Sequence, residues 1–168
     1  MGSESKPKKG TSMSTQPWKV ALAGLLATAV ALQAWGAATE DGRIGPVKVV
    51  KGGVSILRGG QTLAAAPGAG LQVADRVVTA ADGATGITLR DNTLLSAGPN
   101  SSLSLDKFAF DSTTHAGVMD ASLKRGTLSV VSGKIAKQSP ESVRFSTPNT
   151  TLGVRGTEFV IEAAGGED

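Results

Sequence analysis

The apolar residues of this chain come in short alternating runs cut by glycine pairs, a pattern that leaves little besides β-structure open to it. Val47 and Val49 are followed by Val54 and Ile56 across Gly52–Gly53, and Gly59–Gly60 stands before Leu63. Ile87 and Leu89 lead into Asp91–Asn92 with Leu94 beyond, and Leu103 and Leu105 follow Gly98-Pro99-Asn100. Alternation with a period of two buries one face of a strand, and glycine pairs reach the positive φ that two-residue hairpins need. Val77–Val78, Leu128–Val131, Val143–Phe145, Leu152–Val154 and Phe159–Ile161 are further strand candidates. After Ala38 no window of a dozen residues keeps the i, i+3, i+4 spacing of a helix. An all-β single domain is therefore predicted, closed as a sandwich or roll or wound as a short β-solenoid.

Two breaks in the period of two are informative. Leu103 and Leu105 are odd-numbered while Phe108 and Phe110 are even, and Leu152 and Val154 are even while Phe159 and Ile161 are odd. A one-residue slip turns every later side chain to the opposite face, so bulges are predicted near Asp106–Lys107 and at Arg155-Gly156-Thr157. Gly156 is best able to take the backbone a bulge requires.

The chain has 168 residues, a net charge of +3, 18% charged residues and no Cys. That size suits one domain plus tails, and no disulfide can staple it. The basic excess lies at the front. Lys6, Lys8, Lys9 and Lys19 precede an uncharged run from Val20 to Leu32, and the small residues Ala34, Gly36, Ala37 and Ala38 follow. This is the layout of a secretory leader over residues 1–36. The 13-residue run is roughly 20 Å as a helix, short of the ~30 Å hydrocarbon core, which favours cleavage over anchorage. An uncleaved segment to Ala38 is the alternative, and either Met1 or Met13 can serve as the start. Both readings put the rest of the chain across the membrane, in the periplasm, because the lysines precede the apolar run. Cutting before Ala37 leaves 13 basic and 13 acidic residues. Scattered cations of zero net charge give nucleic acid nothing to bind.

At the level of motifs, Gly70-Leu-Gln-Val-Ala-Asp-Arg-Val-Val-Thr79, Gly86-Ile-Thr-Leu-Arg-Asp-Asn92 and Thr147-Pro-Asn-Thr-Thr-Leu-Gly-Val-Arg-Gly-Thr-Glu-Phe-Val160 resemble the periplasmic FecR domain. The last is the most specific. The resemblance covers roughly Gly45 to Ile161 and implies a linker at 37–44, a FecR-like β domain at 45–161 and a tail at 162–168. It singles out Asp75, Thr79, Thr147, Pro148, Arg155, Gly156, Thr157 and Phe159 as motif residues, structural or for recognition. Two positions depart from the pattern: Asn92 and Ala74 stand where the family usually has glycine. At most 19 residues precede the apolar run and seven follow Ile161, so the chain resembles the stand-alone exported type and is not expected to regulate a sigma factor directly.

Catalytic residue types are sparse. His115 is the only imidazole, in a polar loop with Asp111 and Asp120; a metal site wants three or four convergent ligands, and no Gly-x-Ser-x-Gly elbow accompanies it. No enzyme activity, cofactor or metal is expected. The exported part has no Tyr and no Trp, and Phe108, Phe110, Phe145 and Phe159 sit at strand-periodic positions, so core packing accounts for them better than sugar stacking. For Arg155 the expected role is to pin the last strand through backbone carbonyls or Asp75, with a recognition patch as the alternative.

These features point to an exported, non-enzymatic binding or scaffold module of the cell envelope, whose partner is another envelope protein. Strand addition is the natural mode, with Val143–Phe145 or Leu152–Val154 as edges. A membrane-tethered signalling accessory and a polysaccharide-binding module are the alternatives.

Overall fold

A computed structural model describes residues 42–154 and 156–165. Among them the chain is almost entirely β, as the alternation implies. The strands are β1 (Arg43–Lys51), β2 (Val54–Arg58), β3 (Gln61–Ala64), β4 (Gly70–Gln72), β5 (Arg76–Thr79), β6 (Ala84–Thr88), β7 (Leu94–Ala97), β8 (Ser102–Phe110), β9 (Gly117–Val131), β10 (Val143–Thr147), β11 (Thr150–Gly153) and β12 (Glu158–Ala163). One short helix, α1 (Lys134–Gln138), and a 3₁₀ turn at Pro140–Ser142 join β9 to β10. No described helix is long and apolar enough to cross a membrane.

The twelve strands form one continuous sheet curled into a half-barrel, and β9 is the strand on which it folds back. The first part of β9 pairs with β8 and, in parallel, with β10. The second part pairs with β7 and β12. Between the parts stands Gly126 at φ +89°, where a Cβ would lie 2.2 Å from Ser101 Oγ and 2.5 Å from Ser101 Cα. Only glycine fits that backbone and that contact. One arm of the sheet then runs β11-β10-β9-β8-β5-β2-β3 and the other β12-β9-β7-β6-β1-β4. Apart from β9–β10 every ladder is antiparallel, which a solenoid of stacked parallel turns would not give; the roll is the architecture adopted.

Inward side chains from both arms meet in a single core. Val77, Leu103, Leu105, Leu123 and Phe145 come from one arm and Val47, Ile87, Leu95, Leu128 and Val130 from the other, all essentially inaccessible to water. β1 begins at Arg43 and already buries Ile44.

The expected bulge in β8 is present. Leu105 pairs with Ala121 and Lys107 with Asp120, so Asp106 is the extra residue, and Phe108 and Phe110 join Leu103 and Leu105 on the core side. At the second break the expectation needs correction. Leu152 and Phe159 do not share a bulged strand: β11 ends at Gly153, and residues 154–157 carry the chain across to the other arm, where β12 begins. Gly156 takes φ +125° within this crossover. Gly52–Gly53 is also not a hairpin. β1 pairs with β4 and β6 while β2 pairs with β3 and β5, so the turn passes the chain between arms. Gly59–Gly60 does close a hairpin, with Arg58 opposite Gln61.

Candidate functional site

The motif residues fall in three separate places, each holding backbone geometry. Asp75 follows the turn after β4 and is fully buried. Its carboxylate accepts Nε of Arg58 at 2.8 Å, Nη2 of Arg58 at 2.6 Å and the Gln72 amide at 2.8 Å. The same Nη2 donates to Gly70 O at 2.8 Å, so Arg58 ties β2 to both ends of β4 and its turn. The hydrogen bond to Asp75 raises the Arg58 pKa, holding an already permanent charge more firmly. Ala74 takes φ +69° here and Asn92 φ +66° in the β6–β7 turn, which is why glycine suits both positions.

Thr79 closes a second cluster. Its Oγ1 donates to Gly98 O at 2.6 Å and accepts from the Ser101 amide at 2.8 Å, while Ser101 Oγ donates to Thr127 O at 3.1 Å. These buried hydroxyls stitch β5 to the fold-back of β9. In the turn between β6 and β7 the buried Asp91 holds Thr93 through its amide and hydroxyl, and Thr93 Oγ1 in turn accepts from the Gly133 amide ahead of α1.

The third place is the C-terminal motif. Pro148–Asn149 form the two-residue turn joining β10 and β11, with Thr147 opposite Thr150. The crossover is pinned by Ser132, whose Oγ donates to Gly156 O at 3.0 Å and whose amide donates to Thr157 O at 2.7 Å. Phe159 meets Phe145 edge-on, centroids 5.5 Å apart. Arg155 lies outside the described residues. Among the described residues the cation paired with Asp75 is Arg58, which the sequence pattern did not single out. The available signal was an arginine directly before a hairpin glycine pair.

His115 is exposed and stacks on Phe110, centroids 6.2 Å apart. Asp111 caps that loop by accepting the amides of Thr113 and Thr114 at 2.7 and 3.0 Å. Those backbone bonds, that of Thr114 foremost, hold its carboxyl below the ordinary carboxylate value. Among the described residues no three His, Cys, Asp or Glu side chains converge as metal ligands.

What the C-terminal motif builds is an open edge. Among the described residues β12 is paired on one side only, with β9, and β11 only with β10. β10 itself lies between β9 and β11, so Val143–Phe145 is not an edge, whereas Leu152 stands on one. Leu152, opposite Phe145 with no described strand beyond it, is 37% exposed, and Val160 on β12 is 65% exposed. Between the two edges run shallow cavities of about 370 and 210 Å³. Leu152, Val160 and Ile161 line both.

Which backbone groups face this opening follows from the ladder. The Ser132 amide bonds Thr157 O, and antiparallel bonds alternate between residue pairs. The register is unbroken from Glu158 opposite Val131 to Ala163 opposite Gly126. Phe159 and Ile161 therefore bond β9, while the N–H and C=O of Glu158, Val160 and Glu162 point away from it, to the free edge.

The described residues form a β roll pinned by buried polar clusters and open along one strand. The sequence profile of the FecR protein family matches residues 75–167, and the chain belongs to that family. Its members are regulatory proteins of signal transduction, not enzymes, and act with other envelope and regulatory proteins. No curated protein and no solved structure matches the chain.

Proposed function

We propose that the chain is an exported, non-enzymatic regulatory module of the cell envelope that binds another protein by accepting a strand at the free edge of β12. The observation that carries this reading is the pairing of three outward-pointing backbone positions with an apolar groove. Glu158, Val160 and Glu162 offer donors and acceptors unmet among the described residues, and Leu152 and Ile161 offer a place for alternate side chains of an added strand. A sugar-binding reading lacks its platform, since Phe145 is buried and Phe108, Phe110 and Phe159 are half-buried against the core.

The test is capture of envelope proteins by the full chain and by Val160→Pro. Proline removes one free-edge donor without touching the β9 ladder. A specific envelope protein retained by the parent and lost by the variant is expected; retention by both would overturn strand addition. Export has its own test: the periplasmic form should begin near Ala37 by intact mass and, lacking Trp18 and Trp35, show no tryptophan emission. A full-length, membrane-sedimenting form would contradict cleavage.

A further inference from the structure

The outer face of β12 carries an acid, an apolar residue and an acid: Glu158, Val160 and Glu162. Their neighbours across the ladder are Val131, Ser129 and Thr127, and among the described residues neither carboxylate is paired with a cation. The ion pair found among the described residues, Arg58–Asp75, lies elsewhere. At about 3.4 Å per residue the two acids stand roughly 14 Å apart along the edge, with Val160 midway.

Resting on the strand-addition reading, we infer that the edge takes an extended polypeptide of another protein with the pattern basic–apolar–apolar–apolar–basic. The two cations lie opposite Glu158 and Glu162, and the central apolar side chain lies on Val160. The two intervening side chains turn inward over Leu152 and Ile161, into the cavities at the seam. A second copy of β12 is a poor occupant. Antiparallel pairing about Val160 sets Glu158 of one copy against Glu162 of the other, and like charges directly opposite destabilise a strand pair.

The test uses the full chain and two synthetic peptides, one with a Lys-Val-Val-Val-Lys core and one with Glu-Val-Val-Val-Glu, followed by calorimetry at low and high salt. The lysine peptide should bind about tenfold tighter than the glutamate peptide at low salt, with the gap closing as salt screens the exposed charges. The double variant E158K/E162K, its β-sheet circular dichroism unchanged, should reverse the preference. Binding of neither peptide, equal binding, or a preference that survives the charge reversal would overturn the inference. Equal binding of both peptides that is lost in Val160→Pro would remove the charge rule and leave the protein-binding reading standing. Retention of an envelope partner by Val160→Pro would remove that reading itself.

Discussion

At Asp75 a buried carboxylate is made tolerable by one partly exposed arginine, and the two ends of that pair are not equivalent. Asp75 is fully buried, whereas the Arg58 side chain is one-third exposed. Arg58→Met strands a carboxylate with only the Gln72 amide, while Asp75→Asn leaves a guanidinium that can turn to water. The expected losses are about 3 kcal/mol for Arg58→Met and about 1–2 kcal/mol for Asp75→Asn, read by urea unfolding. The reverse order would mean that Arg58 contributes chiefly by packing. Gly126 and Gly156 make a second contrast. Both have positive φ, but a methyl at Gly126 meets the Ser101 backbone while at Gly156 it meets open space. Gly126→Ala should cost more than about 3 kcal/mol and Gly156→Ala about 1–3 kcal/mol, also by urea unfolding. Asp75 and Gly156 were legible as motif positions. Arg58 was not, because a cation's partner is set by tertiary contact and no local spacing marks it.

Among the elements, β8 was readable, whereas β9 was readable only in its second part, Leu128–Val131. Four large apolar residues of β8 change parity, and a parity change in large residues has one cheap cure, a bulge. The first part of β9 presents Met119, Ala121 and Leu123 inward with Asp120 and Ser122 between them, and Ala, Ser and Asp are weak strand formers. The crossover after β11 was read as a bulge because parity alone does not say whether a slip stays within one strand or marks a change of strand. The β8–β9 loop carries a pH dependence. The Thr114 and Thr113 amides favour the charged form of Asp111 in the folded loop, so its folded pKa lies below the unfolded value. That contribution is complete above the ordinary carboxylate range and is lost as pH falls through the lowered value. Carboxyl NMR should place the Asp111 midpoint below that of an unfolded-chain aspartate; a midpoint at the ordinary value would mean the loop caps are open in solution.

Taken as a whole molecule, the chain sets acidic residues at both ends of a net basic roll, behind a basic leading segment. Residues 37–168 balance 13 cations with 13 acids, but four of those acids, Glu40, Asp41, Glu167 and Asp168, lie outside residues 42–165, which keep 13 cations against nine acids. That the chain would be all-β was legible from alternation and glycine punctuation. Which strand would be left unpaired was not, because an edge is a property of the order in which strands assemble. Val143–Phe145 and Leu152–Val154 look alike as sequence, yet β10 is enclosed and β11 is not. The open edge of β12 is best tested by backbone hydrogen exchange of the full chain, with and without the lysine-core peptide. In the free chain the amides of Glu158, Val160 and Glu162 should exchange fast and those of Phe159 and Ile161 slowly, and adding the peptide should slow the first three selectively. Uniform protection along β12 before any peptide is added, or no change at Val160 on saturation, would contradict an edge built to receive a strand.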